Sequence, residues 1–351
     1  MTDFDFEARR ARLDPLFESA RSLADGTSER GRNARQRLAA SSGLSAEGVE
    51  FALQRCLEIA PNEREIAALI RSTPIARVAH VLLAGNVFVA AHRAIAIALA
   101  ASSEVRVRAS RREPEMAELL LAGAPNSFQV VHELSPLAGD RLWAYGSDET
   151  MADVATTLAS GVAMHAHGSG FGVALLDDLR SESDLERLLA GLAEDIALFD
   201  QRGCLSPRVL LVNAAQSAVK TVARALADEL EKLEERVPRG RLPPEELSEI
   251  AKYRDTAHFL GDVFEAGAGF VSVGDAGSWL LPPTGRNIHV LPSAEPIAAL
   301  ASYGPLLTCC AFAGEPARRQ ALGRTAPGAR VCRFGEMQRP PFDGPVDRRD
   351  A

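Results

Sequence analysis

Residues 75–108 read IARVAHVLLAGNVFVAAHRAIAIALAASSEVRVR, and the order of patterns in this stretch decides the fold. An apolar run from Ala76 to Leu83 is broken at Gly85-Asn86, an Ala-rich helical segment follows, and Glu104–Arg108 alternates apolar with charged residues. Buried strand, helix and strand in that succession make a parallel βαβ unit. The run Ile75–Ala101 is the most apolar of the chain, yet it contains Arg77, His80, Asn86, His92 and Arg93. No uninterrupted segment therefore reaches the roughly 18–20 residues of a membrane span.

The alternation continues outward. Further β-rich runs are expected at Phe128–Glu133, Leu142–Tyr145, Gly172–Leu176 and Arg208–Asn213. Two long helical patterns follow, Ala214–Val237 and Pro244–Glu265, flanking the turn VPRGRLPP. They read as an insertion offering a substrate or subunit surface. Runs at Gly269–Val273, Asn287–Leu291, Leu306–Phe312 and Arg330–Phe334 extend the α/β pattern, and the closing RPPFDGPVDRRDA reads as extended. Before Pro74 the pattern is helical, over Phe4–Leu23, Ser45–Ile59 and Glu63–Ile70, with Asn62 and Glu65 at capping-box spacing.

A length of 351 residues suggests two domains. With 39 Lys plus Arg against 47 Asp plus Glu, the net charge of −8 argues against broad binding to nucleic acid or anionic membrane. The start MTDFDFEARRARL lacks the apolar core of a secretory signal. Five cysteines without a CxxC pair point to free thiols in a reducing cytoplasm and give structural zinc no support.

Several stretches carry candidate chemistry, each beside a plain structural reading. Val105–Arg112 runs a strand into four arginines and Ser110, either a fork for phosphate, such as a dinucleotide 2′-phosphate, or a solvated turn. In Tyr145–Thr150, Ser147 or Asp148 suits a helix N-cap, and Gly146 and Ser147 also suit a pyrophosphate at a helix start. Gly168-Ser169-Gly170-Phe171-Gly172 is a strand-entry turn or a ligand-facing loop. Cys204, in Asp200-Gln201-Arg202-Gly203-Cys204-Leu205-Ser206-Pro207, is a buried small hydrophobe or an accessible nucleophile; Cys309 and Cys310 read as core.

Taken in order, Leu83–Val87, Val105–Ser110, Tyr145–Thr150, His167–Gly170 and above all Asp200–Pro207 resemble acyl-CoA reductases. The likeness is to the fatty-acyl-CoA reductase type of bacterial luminescence systems, a branch of the aldehyde dehydrogenase superfamily. It covers roughly Ile75 to Gly344, including Gly335-Glu336-Met337 and Phe342-Asp343-Gly344. The resemblance implies an aldehyde-dehydrogenase-like α/β fold of two Rossmann-like parallel-sheet domains with a helical N-terminal segment. The expected divisions are 1–72 for that segment, 73–163 with part of 327–351 for nicotinamide binding, and 164–326 for a catalytic domain carrying Cys204. It makes Cys204 the nucleophile, Asn86 an oxyanion-hole donor, Arg108 the residue at the adenosine ribose, and Gly146 and Ser147 part of the nucleotide turn. Ser110 and Arg111 join Arg108 in the cofactor expectation.

The chain departs from the superfamily in three ways. Met164–Gly170 stands where hydrolytic members carry a glutamate base, so an acyl-enzyme is expected to wait for hydride, and His167 becomes the candidate for proton transfer. No Glu-x-Phe ribose motif is found, Arg286–His289 lying near where it is expected. The chain is also short at its N-terminus. The function implied is NADPH-dependent reduction of an acyl-CoA to the aldehyde through an acyl-cysteine. Acyl-phosphate reduction, aldehyde oxidation or a non-catalytic acyl-binding scaffold are the alternatives, and a homo-oligomer or an acyl-donating partner subunit is left open.

Overall fold

A computed structural model describes residues 3–178, 182–278 and 280–349. Five helices precede the first strand: α1 (Asp3–Ala11), α2 (Asp14–Ala24), α3 (Glu29–Ser41), α4 (Ala46–Cys56) and α5 (Glu63–Ser72). The single helix expected over Phe4–Leu23 is two, because Pro15 cannot continue α1 but fits the first turn of α2. The capping box at α5 is present, Asn62 accepting from the Glu65 N–H and Glu65 from that of Asn62.

The first sheet comes from β1 (Ala79–Leu82), α6 (Ala90–Ala101), β2 (Val105–Arg108), α7 (Glu115–Gly123), β3 (Gln129–Val130), β4 (Arg141–Tyr145), α8 (Asp148–Thr157) and β5 (Ala163–His167). Its order is β3-β2-β1-β4-β5, with every pair parallel. Residues 90–101 are helical without an exposed face, since nearly every side chain is buried between the sheet and the N-terminal helices. The N-terminal helices and the first sheet thus share one core, in which Leu16, Leu53, Leu69, Val81 and Ile95 meet.

The second sheet follows from β6 (Phe171–Leu176), α9 (Glu182–Ala197), β7 (Pro207–Val212), α10 (Gln216–Arg236), α11 (Pro244–Leu260), β8 (Val263–Ala266), β9 (Gly269–Val273), β10 (Asn287–Pro292), α12 (Pro296–Ala299), β11 (Leu307–Ala313), α13 (Pro316–Thr325) and β12 (Arg330–Cys332). Its order is β12-β11-β6-β7-β10-β9-β8, parallel except for the β8–β9 hairpin. Apolar clusters cover both faces.

Two strands escape a reading by pattern. β8 falls where the pattern continues a helix, but Gly267 at φ +64° turns it back on β9. β5 falls where the pattern gives no strand; AMHAH has little apolar content and, among the described residues, pairs along β4 alone. The expected division after residue 163 therefore cuts β5, whose residues 164–167 belong to the first sheet, and β12 lies in the second sheet.

Candidate active site

In the first sheet β1 and β4 lie side by side while their connections leave in opposite directions, through β2 and through β5. This is a topological switch point, where open parallel sheets leave a crevice at the carboxyl ends of the strands. Gly85-Asn86 follows β1 and Gly146-Ser147 follows β4. The second sheet turns amino ends toward the same crevice, with Gly170 before β6 and Cys204 before β7. The result is a cleft of about 620 Å³ whose wall includes Asn86, Ser110, Gly146, Ser147, His167 and Cys204.

The remaining cofactor candidates need correction. Arg108 and Arg111 are not among the residues lining this cleft, whereas Arg112 is. The turn after β2 brings Arg112 round, its N–H bonding the Ser110 hydroxyl at 3.2 Å. A guanidinium and a hydroxyl beside the open backbone after β4 are donors that suit a phosphorylated nucleotide. Ser147 does cap α8, accepting from the Thr150 N–H at 3.2 Å. Asp148 accepts from the Ser169 N–H at 2.7 Å and so is engaged away from any anion.

The glycines of Gly168–Gly172 answer a packing need. A Cβ at Gly168 would stand 2.2 Å from Asp148 Oδ1, one at Gly170 2.4 Å from Thr308 Cγ2, and one at Gly172 2.5 Å from the Leu205 carbonyl oxygen. The connection between the sheets fits only without side chains at these places, and it still forms cleft wall.

Cys204 sits at the end of an unusual turn. Phe199, Asp200 and Gln201 all have positive φ, 56°, 50° and 65°. Three L-residues in the left-handed region cost roughly 1–2 kcal/mol each, so the surroundings must hold them. Asp200 Oδ1 accepts from Arg286 Nε at 3.0 Å and Nη2 at 2.8 Å, and its Oδ2 accepts from the Gly240 N–H at 2.9 Å. Gln201 donates to the carbonyls of Pro207 (2.7 Å) and Asn287 (2.6 Å) and accepts from the Asn287 N–H at 2.9 Å. Arg286–His289, the stretch near where a Glu-x-Phe motif is expected, forms this buried scaffold, and His289 bonds Ser272 at 2.8 Å. The turn after α10 is tied to the same scaffold through its backbone, the Gly240 N–H donating to Asp200 and the Arg241 N–H to the Gly43 carbonyl, while Pro238, Arg241 and Pro243 stay exposed.

The Cys204 side chain is partly accessible and its carbonyl accepts from the Thr308 hydroxyl. Burial pushes its thiol up to about 11, Asp347 pushes the same way, and Arg349 and its own backbone N–H oppose them. Burial and the Asp347 charge thus outweigh the positive charge of Arg349. His167 stacks on Tyr145, its opposite residue across β4–β5, at 4.6 Å between centroids and 14° between planes. Burial pulls its imidazole down to about 4, with Asp347 opposing. Among the described residues neither buried ring nitrogen has a hydrogen-bond partner, and the imidazole forms part of the cleft wall.

Sequence reading missed Asp347. Arg93 donates to the carbonyls of Pro340 (2.7 Å), Pro341 (2.6 Å) and Gly344 (3.0 Å), and Arg330 to those of Pro345 (2.6 Å) and Val346 (2.7 Å). These bonds carry the segment after β12 back across the first unit, so that Asp347, 6% exposed, joins the cleft wall. No local pattern marks such a residue, because its partners are distant in the chain.

Two parallel-sheet units with a cleft between them give an aldehyde-dehydrogenase-like α/β fold. The solved structures agree: HpcC from Thermus thermophilus superposes with a TM-score of 0.68 at 15% identity, covering 93% of this chain and 74% of that one. An oxidoreductase from Marinobacter aquaeolei gives 0.71 at 12%, covering 92% and 77%. An NAD-dependent benzaldehyde dehydrogenase from Corynebacterium glutamicum gives 0.67 at 13%, covering 94% and 82%. The family described as acyl-CoA reductase (LuxC) matches residues 58–347, and the chain belongs to it. No curated protein matches the chain. Among the described residues no helix is long and apolar enough to cross a membrane.

Proposed function

We propose that the protein reduces an acyl-CoA thioester, a fatty acyl group by preference, to the aldehyde in the cytoplasm, with NADPH as reductant and an acyl group carried on Cys204. The observation that carries this reading is the convergence of Asn86, His167 and Cys204, 118 positions apart at the extremes, on one cleft. In this reading the first sheet belongs to the nicotinamide-binding domain and the second to the catalytic domain. Ser110, Arg112, Gly146 and Ser147 are the residues that would hold the cofactor, which when bound supplies hydride to the acyl carbon.

The chain's own groups do the rest. The thiol is neutral at rest, so its proton must leave as it attacks, and neutral His167 on the same cleft wall is the proposed acceptor, a weak one while burial holds its imidazole at about 4. The Asn86 amide, exposed at the mouth of α6, and the Cys204 backbone N–H stabilise the oxyanion. Expulsion of the coenzyme A thiolate leaves the acyl-cysteine.

The test is to mix protein and acyl-CoA without nicotinamide and follow intact mass with peptide mapping. One acyl group on Cys204, converted to aldehyde on adding NADPH and absent in Cys204→Ala, is the expected result. Aldehyde production by Cys204→Ala, or a label on another cysteine, overturns it.

A further inference from the structure

Asp347 is a carboxylate in the cysteine's cleft, and its electrostatic influence reaches Cys204, His167 and Tyr145 together. A carboxylate so placed is what a hydrolase uses to draw a proton from water. Yet both of its oxygens are taken. Oδ1 accepts from the Arg349 backbone N–H at 3.0 Å and from Nε at 2.9 Å, and Oδ2 accepts from Nη2 at 2.5 Å. Arg349 is itself fixed, its Nη1 donating to the Ser169 carbonyl at 2.8 Å and to that of Pro305. The pair stands between the cysteine cleft and a second cavity of about 830 Å³, since Gly168, Ser169 and Asp347 line both.

We propose that Arg349 is a positioning residue that holds Asp347 out of base chemistry and so protects the acyl-cysteine from water. The inference rests on the acyl-cysteine reading above. Both oxygens of this carboxylate already accept from one guanidinium, which fixes its direction in the cleft wall and keeps it from turning a free lone pair onto a water at the acyl carbon. With the guanidinium gone, Asp347 takes a proton from water as the oxygen bonds to the acyl carbon. The carbon–sulfur bond then breaks, the free acid leaves, and the thiolate recovers the proton. No oxidant or reductant is consumed, so the chain becomes an acyl-CoA hydrolase.

The experiment acylates wild type, Arg349→Ala, Arg349→Lys and the double variant Asp347→Asn/Arg349→Ala with acyl-CoA in the absence of nicotinamide. Adduct decay is followed by intact mass and free acid by chromatography. Arg349→Ala should lose its adduct on the order of 100-fold faster than wild type, the scale of a positioned general base, with acid in equal amount. Arg349→Lys, which keeps the charge but not the fork, should fall between, and the double variant should regain the wild-type lifetime. A persistent adduct on Arg349→Ala, or fast decay in the double variant, overturns the proposal. So does loss of acylation in both single variants, because the pair is then only a structural tie. Failure of wild type to acquire an acyl group on Cys204 refutes instead the reading on which this one rests.

Discussion

Asp200 and Arg286 form an ion pair closed to solvent, with Nη2 2.8 Å from Oδ1 and side chains 0% and 3% exposed, four residues before the cleft cysteine. Arg286 also reaches Glu234 at 2.8 Å and the Val237 carbonyl at 2.6 Å, so the end of α10 is tied to the same knot. The pair holds a left-handed turn that neither Phe199 nor Gln201 favours by itself. Removing one partner leaves a buried charge alone, which costs about 3–5 kcal/mol. Arg286→Met should therefore lower unfolding stability by that amount in urea, and Asp200→Asn/Arg286→Met should recover part of it. Loss below about 1 kcal/mol in the single variant would mean that the turn holds itself.

Asn86 tests the oxyanion assignment with little structural confusion. Its side chain is exposed and, among the described residues, makes no hydrogen bond, and its backbone is not left-handed, so no turn depends on its amide. Asn86→Ala should slow acylation of Cys204 by about 10²–10³-fold while changing stability by less than about 0.5 kcal/mol. Rapid-quench acylation and thermal unfolding of the same preparation separate the two quantities. An unchanged acylation rate removes Asn86 from the chemistry.

The arginines after β2 make a comparative test of cofactor choice. Arg112 lines the cleft and Arg111 does not. A charge-assisted bond to a phosphate is worth about 1.5–3 kcal/mol, so Arg112→Ala should weaken NADPH by roughly 10- to 150-fold and NADH far less. Arg111→Ala should leave both nearly unchanged. Fluorescence titration with each nucleotide measures this, and equal losses for NADPH and NADH in Arg112→Ala exclude a 2′-phosphate contact.

The contrast between Arg111 and Arg112 also marks how far sequence carries. Strands such as β7 and β9 announce themselves by continuous apolar runs, and Cys204 by an ordered local motif, because their determinants are neighbours in the chain. Which of two adjacent arginines faces the cleft depends on the path of a turn. Asp347 depends on still more, since its segment is placed by Arg93 and Arg330, and its partner Arg349 reaches a carbonyl 180 positions away. Such residues sit in a stretch whose composition reads only as extended. β5 is hidden for a different reason: His165 and His167 are polar by composition, but stacked on Trp143 and Tyr145 they behave as the sheet's aromatic face.

The reactivity of Cys204 should follow pH in a way that reports its surroundings. Burial sets its thiol at about 11, above its ordinary value, and the Asp347 charge contributes in the same direction. Only the thiolate reacts with an alkylating agent, so labelling of Cys204 by iodoacetamide should keep rising with pH beyond about 9 instead of levelling off near the ordinary thiol value of about 8.5. Asp347→Asn removes a negative charge that disfavours the thiolate. Its profile should therefore move to lower pH, with faster labelling near neutrality. Arg349→Ala removes an opposing positive charge and should move the profile the other way. Cys56, Cys309 and Cys310 are buried and serve as internal controls in the same peptide map. The three profiles are measured over a short pH series with unfolding monitored in parallel. A wild-type plateau at the ordinary thiol value, or an Asp347→Asn profile displaced upward, contradicts the electrostatic account of the cleft.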